Sequence, residues 1–146
     1  MDQTKLRLIV GVHIILIQDG KVLLGRRFNT GYEDGQYCTP GGHLDPNETV
    51  VEGIIREARE EIGVLLESEH VRMTHVMHRK KTSHERIDFF FSCDNFGGLP
   101  TNREPEKCDD LQWFPMDQLP ENIIPYIRQA IDASRRGQSF SLFGWN

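Results

Sequence analysis

Residues 42–64 read GHLDPNETVVEGIIREAREEIGV, and this stretch decides the fold. Thr49-Val50-Val51-Glu52 is a capping-box pattern, in which a threonine side chain and a glutamate three residues on serve each other's backbone N–H groups. Gly63 is a natural stop, because glycine accepts the left-handed conformation that closes a helix. Between them Val51, Ile55, Ala58 and Ile62 form one apolar stripe. At about 100° per residue, Glu60 lies about −60° and Glu61 about +40° from Glu57. The three carboxylates therefore share a face, roughly opposite the Val51/Ile55/Ile62 side, and Gly53 lies on their face one turn earlier.

Like charges three and four residues apart cost a helix a few tenths of a kcal/mol per pair. A helix that tolerates them often has cations nearby. Mg²⁺ takes hard oxygen ligands and commonly combines a few carboxylates with substrate phosphates. A solvated acidic face, offset by Arg56 and Arg59, is the ordinary explanation of an isolated E-x-x-E-E. The register of the stretch argues against it. Gly42, Glu48, Arg56, Glu57, Glu60, Glu61 and Gly63 fix seven residue types, a chance match on the order of 10⁻⁸ per start position.

This segment resembles the Nudix box of the Nudix hydrolases, which split nucleoside diphosphates linked to another group. The opening strands are similar to the family's too, as are Pro40-Gly41-Gly42-His43 before the box and Trp113-Phe114-Pro115 with Leu119-Pro120 after it. Ala58 departs from the strict pattern, where a bulkier aliphatic residue stands, but it still fits the apolar stripe. The resemblance implies that Glu60, Glu61 and the Gly41 carbonyl are metal ligands, and that Glu57 binds metal or acts as general base. It assigns Glu48 and Arg56 to an ion pair that supports the site. Some members take a further carboxylate from a later loop. Glu106 and Glu104 are the candidates here, with Asp94 and Glu85 behind them. Glu57, Glu60 and Glu61 are thus the expected catalytic residues. Mg²⁺ is the expected cofactor, with Mn²⁺ able to substitute. The reaction implied is water attack on phosphorus in a nucleoside triphosphate or related nucleoside diphosphate derivative. A nucleotide-sugar pyrophosphatase and a non-catalytic nucleotide-sensing module are the alternatives.

Outward from the box, two apolar runs, Leu6–Gln18 and Lys21–Arg27, flank Asp19-Gly20 and read as a β-hairpin. Phe28–Gln36 is a loop, and Tyr37–Thr39 a short strand. Val71–His78 and Ile87–Cys93 read as a second hairpin around a polar turn at Arg79–Ser83. Phe96–Asp110 is a loop, and Leu111–Phe114 a strand. Ile123, Ile124, Ile127, Ala130 and Ile131 mark a second helix ending near Gly137. The tail, Ser139–Asn146, is apolar enough to dock on the body or on a partner. Strands, helix, strands and helix predict an α+β fold, an α/β/α sandwich of Nudix type with a mixed central β-sheet, in one domain over residues 1–146.

Arg26 and Arg27 end the second strand and His43 follows the Gly-Gly pair, so all three are candidate substrate contacts. Each also has an ordinary reading, as a solvated arginine or a satisfied loop histidine. His75, His78, Arg79, Lys80 and Lys81 form a basic concentration that reads best as a solvated hairpin turn. Phe28, Tyr32 and Trp145 read better as packing residues than as base-stacking ones. Marks of the ADP-ribose, diadenosine polyphosphate and NADH subfamilies are absent downstream of the box, which favours a nucleoside triphosphate.

The composition agrees. The 146 residues carry a net charge of −5, which argues against a binder of nucleic-acid polymers. Three cysteines without C-x-x-C spacing read as reduced thiols of a cytoplasmic protein. No run is long enough to span a membrane, and no signal peptide is expected. A small-molecule nucleotide is the expected partner, and a homodimer is plausible.

Overall fold

The computed structural model describes residues 4–145; Met1–Gln3 of the polar N-terminus and Asn146 of the tail lie outside the described residues. Strand β1 (Ile9–Gln18) turns at Asp19-Gly20 into β2 (Lys21–Arg27). Both turn residues have positive φ, 53° and 73°, as a tight hairpin of right-handed twist requires. Two short strands, β3 (Tyr37–Cys38) and β4 (Gly41–His43), lead to helix α1 (Val50–Ile62). The hairpin β5 (Arg72–Lys81) and β6 (His84–Cys93) follows, then β7 (Cys108–Pro115), helix α2 (Pro125–Arg135) and β8 (Phe140–Phe143).

The strands are ordered β3-β2-β1-β6-β5-β8, with β4 added to β1 and β7 to β2. β1 runs parallel to β6, and β5 parallel to β8; the other pairs are antiparallel. The sheet is therefore mixed, as the sequence predicts. Because side chains alternate along a strand, β1 serves two cores. Val12, Ile14 and Leu16 pack with Ile54, Ala58 and Ile62 of α1. Ile15 packs with Met77, Phe90, Ile127 and Ile131 under α2. The result is the expected α/β/α sandwich.

Both ends of α1 match the sequence reading. Thr49 accepts from the Glu52 amide, the Glu52 side chain accepts from the Thr49 amide, and Gly63 closes the helix with φ 68°. Thr49→Ala is expected to cost about 1 kcal/mol, seen as a fall in Tm of about 2–4 °C. The buried stripe, however, is Gly53, Ile54, Ala58 and Ile62, while Val51 and Ile55 are only half-buried. Gly53 thus belongs to the packed side. A Cβ there would stand 2.7 Å from Leu44 Cδ1 and 3.1 Å from Glu48 Oε1.

The second hairpin also departs from expectation. The strands run on to Lys81 and from His84, so only Thr82 and Ser83 turn the chain. Arg79 is not in a solvated turn: it is buried and pairs with Asp88 at 3.0 Å. His75 is buried as well, bonded to the Gln138 carbonyl and the Ser141 hydroxyl, both at 2.7 Å. The loop expected to reach Asp110 ends earlier, because Cys108 already joins β7. The tail docks on the body: β8 adds to β5, and the Trp145 indole donates to the His78 carbonyl at 3.0 Å. No described helix is long and apolar enough to cross a membrane. The three cysteines are free thiols.

Candidate active site

β4 brings the Gly-Gly pair between the sheet and α1. Gly41 faces His13 of β1, and a Cβ on Gly41 would lie 2.1 Å from the Val12 carbonyl oxygen. At Gly42 a Cβ would lie 2.6 Å from Glu57 Oε1. Only glycine lets this strand lie flat between the β1 backbone and the helix carboxylate. The Gly41 amide donates to Glu61 Oε2 at 3.0 Å.

A cleft of about 560 Å³ opens here. Glu57, Glu60 and Glu61 line it, as do Gly41, Arg26, Arg27 and His43. The helix wheel's grouping of three carboxylates is therefore what the fold brings together. Their surroundings differ. The Glu57 side chain is 13% exposed and that of Glu60 is 53% exposed. Burial, then the Glu57 charge, pushes the Glu61 acid up to about 8. Burial also raises Glu57, against the pull of Arg56.

Arg56 is the hub of the α1 side. Its Nε and Nη2 donate to the two Glu48 oxygens at 2.7 and 3.0 Å, a two-pronged ion pair that holds the preceding loop on the helix. That pair holds the Glu48 acid down to about 2. Arg56 Nη1 also donates to Glu57 at 2.9 Å and Glu60 at 3.2 Å, and Nη2 donates to the His43 carbonyl at 3.2 Å. One guanidinium thus ties the loop, the glycine strand and two of the three acids together.

Of the two later-loop acids, Glu104 lines the cleft and Glu106 does not. The Glu104 amide donates to Asn102 Oδ1 at 3.0 Å, and its carbonyl accepts from the Lys107 and Cys108 amides. That tight turn sets Glu104 in the cleft wall, where its charge raises both Glu57 and Glu61. Glu106 is exposed and does not line the cleft. Asp94 is exposed, and Glu85 pairs with His78 at 3.1 Å.

Among the candidate basic contacts, Arg26 Nε donates to Asp109 at 2.7 Å. Arg27 donates to the Tyr32 carbonyl at 2.6 Å and to Thr30 Oγ1 at 3.1 Å, so it braces the loop over the cleft. Burial, then Arg86, lowers the His43 imidazolium's pKa. Tyr32 lines the cleft; Phe28 and Trp145 do not.

Glu57, Glu60, Glu61, Glu104 and the Gly41 carbonyl are hard oxygen donors, the set that suits Mg²⁺ or Mn²⁺. Burial, and then the mutual repulsion of Glu57, Glu61 and Glu104, disfavours charge on these acids, so a divalent cation would suit the donors. Among the described residues, one group of three ligand atoms already lies within 4.8 Å of one another. It is the exposed set Glu67, Glu69 and His70, which does not line the cleft.

The family model of the NUDIX domain matches residues 6–133, from before β1 to within α2. The chain belongs to the NUDIX family. Among NUDIX relatives, the oxidized purine nucleoside triphosphate hydrolase of Mus musculus is 32% identical over 108 residues, or 73% of this chain and 66% of that enzyme. The chain thus spans just under two thirds of that relative's length. Phosphatase NudJ of Escherichia coli O1:K1 / APEC is 29% identical over 145 residues, covering 93% of this chain and 92% of NudJ. A MutT NUDIX hydrolase from Burkholderia pseudomallei superposes with a TM-score of 0.80 at 28% identity, covering 86% of this chain and 97% of that one.

The NUDIX cleft also contains residues that the sequence reading missed. His13, Thr39, Arg86 and Tyr126 line it, and Asp88 lies buried behind them. The available signal was Arg86-Ile87-Asp88 inside an apolar strand. Two charges at i and i+2 share one face of the sheet with Phe90, and buried charges require partners.

Proposed function

We propose that this NUDIX chain is a divalent-metal-dependent pyrophosphohydrolase. Its substrate is a nucleoside triphosphate or a related nucleoside diphosphate derivative, cut by water attack on phosphorus. The observation that carries this reading is the convergence of Glu57, Glu60, Glu61 and Glu104 on one cleft, beside the Gly41 carbonyl and the basic residues Arg26 and Arg27. Glu60, Glu61 and the Gly41 carbonyl would hold the metal, Mg²⁺ or Mn²⁺. When bound, it neutralises the diphosphate and lowers the pKa of a water. Glu57, half-buried and raised, is suited to take a proton from the attacking water. Arg56 and Glu48 keep the carboxylates and the glycine strand in register. Arg26, Arg27 and His43 face the phosphates.

The relatives' names include hydrolysis of oxidized purine nucleoside triphosphates and of ADP-ribose. They support small nucleotides as the substrate class, in keeping with a cytoplasmic enzyme. The intact carboxylate set disfavours a non-catalytic sensing module. The test is a panel of nucleoside triphosphates, dinucleotides, ADP-ribose and nucleotide sugars with Mg²⁺ or Mn²⁺, with the phosphate products identified. Release of pyrophosphate and a nucleoside monophosphate from a triphosphate is the expected result. Cleavage of nucleotide sugars alone would move the substrate assignment, and no cleavage of any compound would overturn the reading.

A further inference from the structure

The wall of the cleft on the α2 face of the sheet carries a charge arrangement that the carboxylate chemistry does not use. Asp88 of β6 is fully buried. Its Oδ2 accepts from Arg79 Nε at 3.0 Å, and its Oδ1 lies 3.1 Å from His13 Nε2 and 3.8 Å from Arg86 Nη2. The opposing residue on β1 is Gly11. A Cβ there would stand 2.3 Å from Asp88 Oδ1 and 3.4 Å from Arg86 Nη2, so a glycine makes room for this cluster.

Two guanidiniums share one carboxylate, so the cluster carries an excess positive charge. Arg79 is buried and does not line the cleft: it lies 3.7 Å over the Tyr126 ring, its Nη1 reaches the Tyr32 hydroxyl at 3.3 Å, and its Nη2 has no hydrogen-bond partner among the described residues. Arg86 is the member that lines the cleft, with a side chain 15% exposed. Its Nε finds no acceptor among the described residues. A largely buried charge without full pairing is unfavourable unless an opposite charge arrives.

We propose that Arg86 is an anion subsite that receives a phosphate group of the substrate other than the one attacked, with Asp88 and Arg79 as positioning residues. This rests on the pyrophosphohydrolase reading and deepens it. The substrate must carry a further phosphate beyond the scissile anhydride. A guanidinium suits that task, because its planar fork matches phosphate oxygens two at a time. The phosphate can be the terminal group of a triphosphate or one on the leaving group of a nucleoside diphosphate conjugate.

Metal-free binding separates this subsite from the carboxylates. Inorganic phosphate is titrated into the whole chain by calorimetry at low salt with a chelator present. The wild type is expected to bind, Arg86→Gln at least about tenfold more weakly, and Arg86→Lys in between, because lysine restores charge without the fork. Thermal melts confirm that each variant is folded. No phosphate binding by the wild type, or equal binding by wild type and Arg86→Gln, overturns the proposal. If no nucleotide is cleaved but phosphate binding depends on Arg86, the enzymatic reading fails and the subsite stands. Kinetics then distinguish the sources. In Arg86→Gln, a rise in KM for triphosphates alone identifies the terminal phosphate, and a rise for phosphorylated conjugates alone identifies the leaving group. An equal rise for substrates lacking a further phosphate counts against the assignment.

Discussion

Glu61→Gln is expected to lower metal-supported turnover on the best substrate of the panel by on the order of 10³-fold or more, with Tm unchanged or higher. In the proposed reaction the change removes one charged oxygen ligand from a centre where metal charge is worth several kcal/mol to the transition state, and each 1.36 kcal/mol is about tenfold in rate. Stability should not suffer, because Glu61 is a buried carboxylate whose neighbours Glu57 and Glu104 oppose its charge. Glutamine can still accept from the Gly41 amide. Glu60→Gln should behave similarly in turnover. Steady-state kinetics with Mg²⁺ and a thermal melt check both variants. If either kept more than about a tenth of wild-type activity, its place as a metal ligand would be lost.

Asp88→Ala is expected to be the most destabilising of the substitutions considered, at about 3–5 kcal/mol. Removing one partner of a buried ion pair leaves the other charge uncompensated, and here two arginines lose their shared carboxylate. Tm should fall by about 10 °C. Asp88→Asn keeps the shape and isolates the charge. His13, Arg79 and their hydrogen bonds hold the Asp88 acid well below the usual carboxylate range, against the opposing effect of burial. A depressed folded-state pKa gives stability that is present above the unfolded value of about 3.9 and lost as pH falls through the folded one. The deficit of Asp88→Asn relative to wild type should therefore be larger at pH 7 than near pH 2. Urea melts at the two values decide it, and equal deficits would show that the Asp88 charge does not govern the loss.

The parts of this molecule that local rules control were readable from the chain. The capping box at Thr49, the stop at Gly63 and the turn at Asp19-Gly20 each depend on residues within one turn of themselves. So does the grouping of Glu57, Glu60 and Glu61, which follows from helical pitch alone. What escaped notice depends on strand pairing. Arg79 looked like a solvated turn residue because nothing near it in sequence shows that Asp88, nine positions on, lies beside it across the hairpin. His13 and Asp88 meet across 75 residues. Glu104, not Glu106, lines the cleft, in a turn held by Asn102 and by the Lys107 and Cys108 amides that neighbouring sequence does not reveal. The stripe on α1 was rotated because Gly53, read as an empty position on the acidic face, in fact packs closely against Leu44 and Glu48.

The parallel pairing of β1 with β6, from Ile9↔Arg86 to Leu16↔Cys93, has a consequence for biosynthesis. Strand β1 pairs with β2 and β4 soon after it is made, but it cannot pair with β6 until the long segment between Gln18 and His84 has followed. Loop closure of that span must precede the contacts that reward it, which makes such topologies slow to fold. At about 5–20 residues per second of synthesis, the nascent β1–β2 hairpin waits for seconds with the β6 edge of β1 unpaired. A peptide cut to the box alone would have neither of its two cores, and so no cleft.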